Sequence, residues 1–279
     1  MFDFFNALTS NIFLQRAVFA SLLSGLSLGI TGTFVVIKRI STISGALAHA
    51  VLGGVGIAYY FGYSPISGAF VFAILSAVVL GFVKIKAKQH EDTVIAALWA
   101  IGMSVGVIFM YITPGYQADL LTYLFGNILL INPAQLYTIA GLDVFVLFIM
   151  FLFYRQFVSL SFDEEYSKLR GIKVNLVYIL LLCLIAVTIV VLIQIVGLIL
   201  VIALLSLPAS ISEMFSKNIF PMMIIACLLS ILFAITGLII AYPSNLPPGA
   251  VIVILSGLSY LIALIIKNLL SNKYKTKLI

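Results

Sequence analysis

The sequence predicts an all-α protein: a polytopic bundle of about nine transmembrane helices, with eight or ten as the alternatives. Three observations predict it. Of the 279 residues, 63% are hydrophobic and only 9% charged, with a mean hydropathy of +1.27, whereas soluble domains carry about 25% charge. The charge-free stretches are long enough for spans of about 20 residues each. The basic residues recur after every second stretch, the asymmetry expected of a chain threaded through a bilayer. These features predict one membrane domain over residues 1–279.

The elements follow in order. In residues 1–15, Met1, Phe4, Phe5, Leu8 and Ile12 fall on one helical face, which predicts a segment lying in the interface. It has no basic n-region, and no small-residue cleavage site follows span 1, so it does not read as a cleaved signal. Span 1 fits 17–37 and is closed by Lys38-Arg39. The uncharged run 40–83 holds spans 2 and 3, broken near Gly62-Tyr63-Ser64-Pro65, with Lys84, Lys86 and Lys88 after it. Span 4 fits 93–113. Beyond it, Leu120–Ile131 is too short to cross and reads as a re-entrant or surface helix near the outer mouth. Span 5 fits 134–154. Residues 174–212 hold two spans, and 218–266 two more, parted at Tyr242–Gly249. A basic tail, 268–279, follows.

Fourteen of the fifteen basic residues follow odd-numbered spans, Arg16 being the exception. This places the N-terminus outside and the C-terminus in the cytoplasm. The net charge of +6 is spread over separate loops and forms no patch for nucleic acid. Cys183 and Cys227 both sit in apolar runs and imply neither a disulfide framework nor a thiolate cluster.

Between spans 5 and 6 lies a short soluble helix, 161–171. Ser161 with Glu164 makes a capping-box pattern. Asp163, Glu164 and Glu165 occupy its first turn and Lys168 and Arg170 its last, complementing the helix dipole, and Gly171 is a natural stop. Such a helix is either a solvated connector or a docking element. Inside the membrane, an ionisable group is a functional hypothesis by default. His49 shares a face with Gly45 and Gly53 at i, i+4, i+8, which aims it at a packed seam or a cavity. It is either a cation ligand or proton relay, or an imidazole hydrogen-bonded across helices. Asp143 lies near the middle of span 5 if that span starts at Pro133, and there it needs a partner or water. Pro208 interrupts span 7 and frees a carbonyl one turn back, with Ser206 and Ser210 placed to re-satisfy the backbone. Gly25-x-x-x-Gly29 and Gly102-x-x-x-Gly106 predict close helix–helix approach. No phosphate-binding loop, zinc-protease motif or nucleophile elbow is present, so the chain is not expected to hydrolyse ATP or to act as an enzyme.

Together these pieces resemble the permease subunits of bacterial ABC importers for zinc, manganese or iron, relatives of the vitamin B12 and siderophore permeases. The resemblance covers about residues 12–268. It rests on Lys38-Arg39-Ile40-Ser41 before Ala46-Leu47-Ala48-His49-Ala50, on Leu121–Leu129, on Val196-Gly197 with Leu204–Ala209, and on Leu246-Pro247-Pro248-Gly249-Ala250. It implies a type II importer fold in a bacterial or archaeal plasma membrane and a homodimer with the path on its axis. A cytoplasmic ATP-binding subunit would dock on Asp163–Gly171, and an extracellular metal-binding protein on the outer face. It also implies that His49 contacts a transported divalent cation, the chain binding no cofactor of its own. In the family an aspartate precedes this histidine by four residues; here that position is Gly45. Imidazoles from two protomers suit zinc better than manganese by ligand softness. The alternatives are a permease for an iron chelate or cobalamin-like ligand, and a secondary transporter that needs no ATPase.

Overall fold

The computed structural model describes residues 7–86, 91–113, 126, 128 and 131–275. Among them, nine helices are long and apolar enough to cross a membrane, as the charge-free stretches require. We label the helices α1 (Ile12–Ile37), α2 (Ser41–Tyr60), α3 (Pro65–Lys86), α4 (Glu91–Ile112), α5 (Pro133–Phe162), the short α6 (Glu164–Leu169), α7 (Val174–Val196), α8 (Leu198–Phe215), α9 (Ile219–Ala241) and α10 (Pro248–Lys275).

Local chemistry sets the boundaries. Pro65, Pro133 and Pro248 each open a helix, the position where a missing N–H is harmless. Asn132 caps α5 in a full capping box: its side chain accepts from Gln135 N, and the Gln135 side chain accepts from Asn132 N. Gly62 at φ +74° ends the turn after α2, and Gly197 at φ +83° separates α7 from α8. The α1–α2 turn is only Lys38–Ile40, with Arg39 held at φ +56°.

Two groups of helices meet on α7. On one side α2 packs against α4 and α3; on the other α1 packs against α9, α8 and α5. Helix α7 touches α3, α5, α2, α8 and α1, and α10 lies at the edge on α8 and α9. The most buried spans are α1, α2 and α7; α4, α5 and α10 turn broad apolar faces outward, including Tyr111, Phe151 and Ile254. Small residues hold the seams, as predicted. A Cβ on Gly102 would lie 2.6 Å from Ala50 Cα, and one on Gly29 would lie 2.4 Å from Cys227 N. Backbone therefore rests on backbone along α2–α4 and α1–α9, the geometry that small residues permit.

Several expectations are refined. Helix α5 runs eight residues past the expected end at 154, to Phe162. The interfacial segment is helical at 7–10, while residues 1–6 lie outside the described set. The re-entrant element expected at Leu120–Ile131 falls mostly outside it as well. Of that stretch Gly126 is described, at φ +65°, and a Cβ there would lie 2.3 Å from the carbonyl carbon of Val196. Gly126 thus touches the α7–α8 junction, which joins two of the motifs singled out in the sequence. Pro208 does sit inside α8, but Ser206 Oγ donates to the Ile202 carbonyl at 3.0 Å rather than to the Leu204 carbonyl that the proline frees. Helix α10 extends into the basic tail as far as Lys275.

Candidate functional site

Three places combine buried polar chemistry with the residues that the sequence singles out. One is the middle of α2. Gly45, His49 and Gly53 do share a face, and that face meets α4. A Cβ on Gly53 would lie 2.8 Å from the Gly102 carbonyl oxygen, and one on Gly45 would lie 3.2 Å from an indole carbon of Trp99. The His49 ring stacks on Trp99, with centroids 4.4 Å apart and planes 18° apart. His49 is 8% exposed, and its Nδ1 has no hydrogen-bond partner among the described residues. The bland alternative, an imidazole hydrogen-bonded across helices, is therefore not what forms at that nitrogen. A buried imidazole with an unpartnered ring nitrogen can, in the tautomer that leaves its lone pair there, accept a proton or a soft to borderline cation. Trp99 also lines an open groove of about 550 Å³ along α4, with Ala100, Met103, Ser104, Val107 and Ile108. No group of three His, Cys, Asp or Glu side chains converges to hold a metal among the described residues. A cation here would need water, a second copy of the chain or other donors to complete its shell.

Trp99 went unnoticed in the sequence. The available signal was that it is the chain's one tryptophan, placed mid-span rather than in an interfacial belt. It also shares the α4 face of Gly102 and Gly106 at i, i+3, i+7.

Asp143 is buried, 5% exposed, because α5 does start at Pro133. Ser27 Oγ on α1 donates to Asp143 Oδ1. Oδ2 has no hydrogen-bond partner among the described residues. The partner demanded by an intramembrane carboxylate is thus a serine hydroxyl from the neighbouring helix. Asp143, Ser206 and Pro208 lie on α5 and α8, while His49 lies on the α2–α4 seam; the structure does not gather them into one constellation.

The third place is the soluble helix. Its cap is Asp163, not Ser161: Asp163 Oδ1 accepts from Glu165 N at 2.9 Å and Tyr166 N at 3.0 Å. Ser161 belongs to α5 and donates to the Phe157 carbonyl at 2.7 Å, so the capping box expected of Ser161 and Glu164 does not form. Gly171, at φ +78°, ends the helix as expected. Its N–H bonds the Lys168 carbonyl and that of Ile172 the Ser167 carbonyl, the paired closure of a Schellman motif. Ser167 is fully buried against α5, its Oγ 2.6 Å from Ser159 Oγ. Glu164 turns inward: Lys38 Nζ donates to Glu164 Oε1 at 2.7 Å and to the Leu160 carbonyl at 3.0 Å. Burial would raise the Glu164 pKa, but the Lys38 hydrogen bond and the charges of Lys38, Lys84 and Lys168 prevail and hold it below the usual glutamate value. The outward surface is left to Glu165, Tyr166, Lys168, Leu169 and Arg170, with Leu169 87% exposed. The helix is thus anchored to α1 and α5 and presents an apolar tip between charges.

Comparisons with known proteins agree with this architecture. The profile of the ABC 3 transport family matches residues 10–267. A probable metal transport system membrane protein of Chlamydia pneumoniae is 41% identical over 246 residues, 86% of this chain and 84% of that protein. The manganese transport system membrane protein MntC of Halalkalibacterium halodurans is 31% identical over 260 residues, 93% of this chain and 89% of that one. Among solved structures, PsaBC from Streptococcus pneumoniae in complex with Fab superposes with a TM-score of 0.84 at 29% identity, covering 94% of both chains.

Proposed function

The chain belongs to the ABC 3 transport family, and on that premise we propose that it is the permease subunit of an importer for a divalent metal cation. The observation that carries the cargo assignment is His49: a buried imidazole with a free Nδ1, mid-span, beside the groove on α4. Two copies would pair around the path and present two imidazoles to it. A separate ATP-binding subunit would dock on the outward surface of α6, and a metal-carrying protein on the outer face. ATP-driven closure at α6 would then rock the bundle and expose the path to one side at a time.

The relatives named for metal or manganese transport support a metal cargo. Which metal follows from the donors. With Gly45 one turn before His49 there is no carboxylate, and nitrogen donors favour Zn²⁺ over the harder Mn²⁺. Zinc is therefore the cargo we propose, with manganese or iron as the competing cargoes.

The test is uptake of radioactive Zn²⁺ and Mn²⁺ into proteoliposomes holding the assembled transporter. His49→Ala should abolish uptake at unchanged permease abundance, and His49→Gln should rescue little. Wild-type transport by His49→Ala would place the metal path elsewhere and leave His49 as a packing residue.

A further inference from the structure

Gly45 and Trp99 fit each other as a small-for-large exchange. Position 45 is one helical turn before His49 on the same face, the place from which a second ligand would reach a cation held by the imidazole. That space is filled. A Cβ at 45 would already lie 3.2 Å and 3.5 Å from two indole carbons of Trp99, so the carboxylate of a longer side chain would have to displace the ring. The same indole covers the imidazole at 4.4 Å and forms part of the groove wall on α4. It is 40% exposed.

We infer that Trp99 is the specificity-determining gate of the site: it packs on the face of the His49 ring and, by occupying the second-ligand position, excludes cations that need a carboxylate. The inference rests on reading His49 as the cation contact. Stacking covers a face of the imidazole and not the in-plane lone pair that takes a cation, so the indole keeps the second-ligand position closed while His49 binds. The ring's negative face can attract the cation, while no oxygen donor replaces its lost water. Ions that exchange water for nitrogen readily are favoured, and Mn²⁺ is disfavoured.

The gate is tested on the full-length permease in nanodiscs by the rate at which diethylpyrocarbonate modifies His49. Mass spectrometry reads that rate relative to His90, the chain's other histidine. Loss of an aromatic stack should speed modification about three- to tenfold in Trp99→Ala, while Trp99→Phe stays near wild type. Trp99→Leu, apolar and bulky but unable to stack, covers the case in which the alanine variant is poorly made, and it too should react faster. Equal rates in all variants would overturn the gate. Zn²⁺ should protect His49 in the opened variant. Fast modification without Zn²⁺ protection would keep the gate and remove His49 from the metal path, which separates the two failures.

Specificity is read from Mn²⁺ and Zn²⁺ uptake by the assembled transporter. Gly45→Asp alone should gain no Mn²⁺ transport, whereas Gly45→Asp with Trp99→Ala should gain it. If the single variant carries Mn²⁺ as well as the double does, Trp99 does not set the selectivity.

Discussion

Replacing Lys38 with methionine tests whether α6 is mechanically joined to the helix pair that bears His49. Lys38 closes α1, and three residues later α2 begins. Its ammonium donates to Glu164 at 2.7 Å and to the last turn of α5 at the Leu160 carbonyl at 3.0 Å. The lysine side chain is 8% exposed and the glutamate 41%. Exposed pairs contribute about 0.2–1 kcal/mol, and breaking a fully buried pair costs about 3–5 kcal/mol. A pair buried on one side only falls between these, and we take ~1–2 kcal/mol for Lys38→Met, in line with a hydrogen bond to a charged group. That is roughly five- to thirtyfold in the local opening equilibrium. Hydrogen exchange of the Ser167, Arg170, Gly171 and Ile172 amides, which close α6 and its cap, should accelerate by that factor. Glu164→Gln should accelerate exchange less, since Lys38 keeps its bond to the Leu160 carbonyl, and the double variant should add little to Lys38→Met. Exchange within about twofold of wild type in Lys38→Met would refute the latch, because a pair that couples these elements cannot be removed silently.

Three further predictions follow from the same geometry. Gly102→Val should lower thermal stability, since overpacking a tight contact costs about 1–3 kcal/mol and the nearest atom is the Ala50 backbone. Gly141→Ala, with nothing within 4 Å, should be neutral, and a differential scan in detergent compares them. Glu164 is held below its ordinary value of about 4.3, so its stabilising charge is fully present above that pH and lost only as pH falls through the lowered value. Exchange in α6, corrected for intrinsic rates, should therefore stay constant down to the ordinary glutamate value and rise only below it, and Glu164→Gln should remove the dependence. A cysteine at Leu169 should be labelled by an impermeant maleimide only after permeabilisation, and one at Tyr63, which is 71% exposed in the α2–α3 turn, from outside the intact cell. The reverse pattern would invert the topology.

The spans were legible because the bilayer imposes a long apolar period that no loop imitates, and because Pro65, Pro133, Pro248 and the Tyr242–Gly249 segment punctuate it. The close seams were legible too, since only small residues allow backbones to touch. His49 could be aimed at a seam from the i, i+4, i+8 glycine pattern alone. What it faces could not be read, because Trp99 lies fifty residues away and stacking leaves no mark on local periodicity. The same limit hid Ser27 opposite Asp143 and Lys38 opposite Glu164. The cap of α6 was misplaced for a different reason. Ser161 and Glu164 satisfy the capping pattern, but α5 continues through Ser161 and leaves Asp163 as the first residue free to turn.

The pairing of the helices also dictates an order of assembly. Helix α2 finds its main partners, α3 and α4, within the next fifty residues of chain, so that trio can close while the rest is still being synthesised. Helix α1 is made first, yet it packs chiefly on α9 and α8, which leave the ribosome some two hundred residues later. Its Ser21, Thr31 and Thr33 are all buried in the finished protein. Each is already quiet, because its hydroxyl donates to a carbonyl of α1 itself four residues back, at 2.8, 2.6 and 2.8 Å. Ser27 is the exception, with its acceptor on α5. The newborn helix therefore waits in the membrane with one hydroxyl uncommitted, and the arrival of Asp143 is the first polar event that can fix its rotation.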